Sequence, residues 1–201
     1  MKGNVVGLTG QTGAGKTTVA EMLIGFPYQT AVINADQVAK EVMTPGSACL
    51  KELCSVFGSD IIDENGACNR KLLAQRAFSL REKTELLNSV THPYILKRTM
   101  EYIGLHQAEQ CDMIIFDAPQ LFESGGDRLC EKIIAVTAPA SVRIQRIMKR
   151  DGLTEKEALL RINAQHNEEY YVKRADCVID GSADITRIKK QLADMINKWF
   201  F

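Results

Sequence analysis

Apolar residues follow two rhythms along this chain. Short unbroken runs, Val5-Val6-Gly7-Leu8, Thr30-Ala31-Val32-Ile33, Met113-Ile114-Ile115-Phe116, Lys132-Ile133-Ile134-Ala135-Val136 and Cys177-Val178-Ile179, have the length and β-branched content of strands buried on both faces. Longer stretches repeat apolar residues at steps of three and four, as a helix with one packed face does. Ile185, Ile188, Leu192, Met195, Ile196 and Trp199 form such a stretch, with Trp199 as a packing anchor; the Phe200-Phe201 end either packs or leaves a small exposed patch. Buried strands separated by helices predict an α/β fold with a doubly wound, five-stranded parallel sheet flanked by helices.

Over about residues 38–110 the strand rhythm disappears. Helical patterns remain at 50–57, 71–78, 83–90 and 93–106, with breaks at Phe57-Gly58 and Asn65-Gly66. A helical insertion is therefore expected within one domain, whose core comprises about 1–37 and 111–201. Thr91-His92-Pro93 reads as a helix start, with proline at the first helical position and Thr91 or His92 as cap; a catalytic role for His92 is the alternative.

Chemistry enters where the first apolar run meets Gly10-Gln11-Thr12-Gly13-Ala14-Gly15-Lys16-Thr17, followed by the helical stretch from Thr18. Glycine, four residues, then Gly-Lys-Thr between a strand and a helix is the phosphate-binding P-loop pattern. The backbone of Gly10, Gly13, Ala14 and Gly15 can turn its N–H groups around a polyphosphate, and the helix N-terminus adds partial positive charge. Lys16 then reaches the β- and γ-phosphates, Thr17 offers its hydroxyl to Mg²⁺, and Thr18 completes the nucleotide-binding set.

Two carboxylates close predicted strands. Asp36 follows Thr30–Ile33 at the edge where parallel α/β sheets bind ligands, as a substrate-facing group or as a helix cap. Asp117 follows Met113–Phe116 in the manner of a Walker-B aspartate of the magnesium shell, or makes a turn before Pro119. Between the last two strands Arg143, Arg146, Lys149, Arg150 and Arg161 form the most cationic stretch, with 143, 146 and 150 on one helical face. Either that face is solvated, or residues 140–166 make a lid whose arginines meet the charge of phosphoryl transfer.

Composition narrows the partners. Lys+Arg and Asp+Glu both number 25, so the excess of positive charge that marks a nucleic-acid or anionic-membrane surface is missing. Cys49, Cys54, Cys68, Cys111, Cys130 and Cys177 include no Cys-x-x-Cys and no metal-like pairing with histidine, and read as reduced packing residues. Neither a signal peptide, a transit peptide nor a membrane-spanning run fits the sequence, so a cytoplasmic location is expected.

These stretches together resemble the dephospho-coenzyme A kinase family over nearly the whole chain. The matching residues are Gly7 to Gly10 and Lys16 to Ala20, Asn34-Ala35-Asp36 with Val38 to Val42 and Pro45-Gly46, and His92-Pro93. Asp117-Ala118-Pro119 with Leu121 to Glu123, Arg146 to Thr154, Arg161 with Gln165, and Ala175 to Asp180 match as well. The resemblance implies transfer of the ATP γ-phosphoryl group to the ribose 3′-hydroxyl of dephospho-CoA, with Mg²⁺ and small-molecule substrates, by a monomer or small homo-oligomer. It gives Asp36 the acceptor hydroxyl, has the insertion (His92, Lys97 and Arg98) hold the acceptor with Arg161, and has Arg146 and Arg150 close over ATP. The chain departs from the family at Gln11-Thr12 and Ala14 in the loop, at Asn34 for the first aspartate of Asp-Ala-Asp, at Gln120 for leucine, and at Gly181-Ser182 after Val-Ile-Asp.

Other small-molecule P-loop kinases, acting on nucleosides or nucleoside monophosphates, share the loop. A GTP-dependent switch usually carries Asn-Lys-x-Asp late in the chain. Here Asn197-Lys198-Trp199-Phe200 lacks the aspartate, and Asp63-Glu64-Asn65-Gly66 follows no predicted strand.

Overall fold

The computed structural model describes residues 3–200, and the five apolar runs are all strands within it. They are β1 (Asn4–Gly10), β2 (Thr30–Asn34), β3 (Met113–Asp117), β4 (Lys132–Thr137) and β5 (Cys177–Asp180), in a parallel sheet of order β2-β3-β1-β4-β5. Central β1 sets Leu8 against Asp117 of β3 and Gly10 against Val136 of β4. Val6 and Leu8 face helix α1 (Lys16–Ile24) and a C-terminal helix that places Ile188, Leu192, Met195 and Ile196 in the same core. Each such buried aliphatic side chain contributes about 1.5–3 kcal/mol. Gly7 points the other way, toward Leu121 and Cys130, so β1 is covered on both faces, as its unbroken apolar run requires.

Residues Ile33–Leu105 form one compact unit and the remainder of the chain another. The first contains α2 (Ala35–Val42), α3 (Ala48–Phe57), α4 (Arg70–Ala77) and most of α5 (Arg81–Ala108). It has its own core, in which Cys49, Leu53 and Phe57 meet Ile61, Leu73, Ala77 and Val90. The second contains the sheet strands that flank β1, then α6 (Ala140–Asp151), α7 (Glu155–Asn163), α8 (Glu168–Val172) and α9 (Ile185–Phe200). Among the described residues no helix is long and apolar enough to cross a membrane.

The expected helix start at Thr91-His92-Pro93 is not there. Pro93 lies inside α5, which runs for 28 residues through both patterns predicted as separate helices. Proline forfeits one backbone bond, but burial of Val90, Thr91 and Thr99 on the same helix offsets the loss, and the Thr91 hydroxyl donates to the Leu87 carbonyl just upstream. The segment Asp63-Glu64-Asn65-Gly66 is a turn in which the Asp63 carboxylate accepts from the Asn65 and Ala67 amides. Trp199 and Phe200 pack against the sheet core, as the anchor reading expects for Trp199; Phe201 lies outside the described residues.

All six cysteines are free thiols. Burial pushes Cys49 up to about 11 and Cys130 up to about 12. Because a raised thiol pKa empties the reactive thiolate at ordinary pH, alkylation of Cys49 by iodoacetamide at pH 8, followed by mass spectrometry, is expected to run about 100-fold slower than that of a free thiol, and Cys130 slower still. The join between β1 and the following loop gives a second expectation. A β-carbon on Gly10 would sit 2.2 Å from the Val136 carbonyl oxygen, at a φ of +139° that L residues rarely adopt. Gly10→Ala is expected to cost about 2–4 kcal/mol and lower the melting temperature by roughly 5–15 °C in a thermal melt.

Candidate functional site

Residues 10–17 leave the carboxyl end of β1 and turn directly into α1. Gly15, with φ at 108°, occupies the cap position of α1 and contributes no side chain to it, so the amides of the first turn are left for a ligand. Thr17 and Thr18 are exposed in that first turn. Within the loop, the carbonyls of Gly10, Gln11, Gly13 and Ala14 have donors. Lys16 Nζ donates to the Gly10 carbonyl at 3.3 Å, and the Ala14 amide donates to Gln11 at 3.1 Å. Arg146 spans the outer side: its Nη1 donates to the carbonyls of Gly13 (3.2 Å) and Ala14 (3.0 Å), and its Nη2 to that of Gly181 (2.8 Å). One guanidinium therefore clamps the loop to the turn after β5.

The segment after α7 holds the loop from its first residues. Gln165 accepts from the Thr12 amide at 2.8 Å, and Gln11 donates to the His166 carbonyl at 2.8 Å. Arg143 donates from Nη1 to the Gln11 side chain. Sequence periodicity grouped Arg143 with Arg146 and Arg150 on one cationic face, but the structure separates them. Arg143 is 4 % exposed and turned inward, whereas Arg150 is exposed. A three-residue step is 300° around a helix and a seven-residue step is close to two full turns, so the three share a sector without sharing surroundings.

Arg150 donates from Nε and Nη2 to both oxygens of Asp151, each at 2.8 Å, and Arg161 of α7 donates to the same carboxylate. The hydrogen bond from Arg150, with Arg161 beside it, holds the Asp151 carboxyl below the usual carboxylate range. α7 itself is started by a capping box in which Thr154 and Glu157 satisfy each other's backbone amides. Glu123, from the stretch after β3, lies 3.8 Å from His166, and its carboxyl is raised by burial. His166 stacks on Tyr170 at 3.9 Å between ring centroids.

Asp117 closes β3 and is half-buried; its register with Leu8 places it beside the strand that feeds the loop. A threonine hydroxyl at 17 and a carboxylate at 117 are the oxygen donors that suit Mg²⁺.

In the other unit, Asn34 caps α2 by accepting from the Gln37 amide at 3.0 Å. The capping alternative for Asp36 is thereby excluded: Asp36 is an exposed carboxylate in the first turn of α2. His92 is half-buried in the middle of α5 and Lys97 is exposed on it. Arg98 is engaged within the unit, donating to Glu101 at 2.8 Å and to the Tyr102 hydroxyl at 3.0 Å, while Tyr102 donates to Glu41 at 2.6 Å. Gln11, Asp151 and the burial of Arg143 were missed from the sequence. The partners of Gln11 lie on other elements more than 130 residues away, so no local pattern carries the signal; Asp151 has Arg150 beside it in sequence, but the second guanidinium, Arg161, comes from α7.

A family model described as dephospho-CoA kinase matches residues 4–187. The dephospho-CoA kinase of Carboxydothermus hydrogenoformans is 38% identical over 197 residues, covering 97% of this chain and 94% of that protein. The crystal structure of a Thermus thermophilus protein superposes with a TM-score of 0.80 at 27% identity over 99% of both chains. The structure of a dephospho-CoA kinase from Campylobacter jejuni does so with a TM-score of 0.69 at 25% identity, covering 98% of this chain and 97% of that one.

Removing the Arg146 guanidinium leaves three carbonyls without their donor. Arg146→Ala is expected to weaken binding of a non-hydrolysable ATP analogue by roughly 10–100-fold in calorimetry, whereas Lys149→Ala, exposed on the same helix, leaves it unchanged.

Proposed function

The chain belongs to the dephospho-CoA kinase family, and from that premise we propose that it transfers the γ-phosphoryl group of ATP to the ribose 3′-hydroxyl of dephospho-CoA, giving CoA and ADP. The observation that carries this reading is the loop 10–17 at the start of α1, its Gly10, Gly13 and Ala14 carbonyls tied back by Lys16 and Arg146, on a chain that matches the family over residues 4–187.

Phosphoryl transfer needs little covalent help from protein; positioning and charge neutralisation do most of the work. The loop amides and Lys16 hold the phosphates. Thr17 and Asp117 would hold Mg²⁺, which when bound neutralises charge on the β- and γ-oxygens. Arg146 keeps the cradle in shape, while Arg150 and Arg161 bring two cations together at Asp151, ready for an incoming phosphate. Asp36, exposed in the first turn of α2 and relieved of capping by Asn34, orients the acceptor hydroxyl and takes its proton. In the helical unit exposed Lys97 and half-buried His92 are the candidate acceptor contacts. Arg98 serves that role less directly, since its guanidinium is spent on Glu101, Tyr102 and Glu41.

The test is ADP release with ATP and Mg²⁺, comparing dephospho-CoA with AMP, UMP, adenosine and no acceptor. Stimulation by dephospho-CoA alone, with CoA as product, is the expected result; a stronger response to a nucleotide or nucleoside overturns the substrate assignment. In the same assay Asp36→Asn is expected to lower kcat by about 10²–10⁴-fold. Its KM for ATP should stay within about threefold of the parent value, because the carboxylate acts on the acceptor. An unchanged kcat would remove Asp36 from the mechanism.

A further inference from the structure

Beside the P-loop, on the side of α6 and the segment after α7, lies a pocket of about 370 Å³. It is lined by Gln11, by Ala140 at the start of α6, by Arg143, and by Gln165, Asn167 and Glu168 among others. Two independent features make it attractive to an anion. First, α6 is twelve residues long and its cap residue, Pro139, gives no side-chain hydrogen bond, so the positive end of the helix opens at Ala140. Second, Arg143 is 4 % exposed, yet its Nε and Nη2 have no hydrogen-bond partner among the described residues; Nη1 alone is used, on Gln11.

A buried guanidinium with two idle nitrogens is costly unless an acceptor meets it. Burial accordingly pulls the Arg143 pKa down, partly countered by the charge of Glu168 and by Tyr171. Glu168 is exposed at the pocket and accepts no hydrogen bond from Arg143, so its carboxylate repels a bare dianion but accepts from a ligand hydroxyl. A partly protonated tetrahedral oxyanion satisfies both demands, its oxygens on Arg143 and the α6 amides and its hydroxyl on Glu168.

We propose that this pocket is a second oxyanion site, distinct from the P-loop and specific for orthophosphate-like groups, in which Arg143 and the N-terminus of α6 hold the ligand and Gln11 links it to the loop. The link is direct: Arg143 bonds the Gln11 side chain, and Gln11 bonds the His166 carbonyl, so an anion on Arg143 competes with or strengthens the contacts that anchor the first residues of the loop. The inference does not depend on which acceptor the enzyme uses.

The experiment is calorimetric titration of inorganic phosphate into the full-length protein saturated with Mg²⁺ and a non-hydrolysable ATP analogue, so that all phosphate positions of the P-loop are filled. A saturable site is expected in the parent protein. Arg143→Gln should weaken it at least tenfold. Ala140→Glu, which places a carboxylate at the positive end of α6 and so suits helix formation, should weaken it to a similar degree while keeping or raising the melting temperature. Absence of saturable binding, or binding that the well-folded Ala140→Glu protein retains unchanged, overturns the proposal.

Discussion

A loop that gathers its amides around an anion must send its carbonyls the other way, and those carbonyls need donors of their own. In this chain that constraint organises everything near the nucleotide site. Lys16 folds back on the Gly10 carbonyl and Arg146 covers those of Gly13 and Ala14, while from the segment after α7 the Gln165 side chain accepts from the Thr12 amide. Without these bonds the loop would be free to rearrange, and binding would have to supply its ordering as well as the contacts. The helices after β4 are thus part of the phosphate cradle even though none of their residues belongs to the motif.

The helical unit solves a different problem. It has a small core of its own, built on Leu53, Phe57, Leu73 and Val90, and much of its polar chemistry is internal, as in the Arg98, Tyr102 and Glu41 network. Its most consequential local choice is at residues 34–36. Asparagine caps a helix as well as aspartate does. Asn34 therefore performs the structural task without adding a second negative charge, and the neighbouring Asp36 keeps its carboxylate available.

What was legible in the sequence was whatever repeats at short range. Strands buried on both faces announce themselves as apolar runs, and all five appear as read; the P-loop is a local motif on a local strand-to-helix turn. Proline misled at residue 93, because the rule that it begins helices weighs one lost hydrogen bond and ignores the apolar packing that carries α5 through it. Helical geometry misled at Arg143, because three cations in one sector were read as one surface while packing turned one of them inward. Gln11 had no local signature for its role, since its partners are brought close by folding alone, and for Asp151 the sequence shows the adjacent Arg150 but not Arg161 arriving from α7.

One carboxylate, Asp151, meanwhile holds two guanidinium groups at the end of α6. It acts as a resident counter-ion. On the role proposed for Arg150 and Arg161, an incoming phosphate does not meet bare, hydrated cations but trades places with a carboxylate already in position, so binding at these arginines would be an exchange of anions in which little charge is newly neutralised. Such an exchange favours the more highly charged and better-shaped anion, and it keeps both arginines gathered at one point before any ligand arrives.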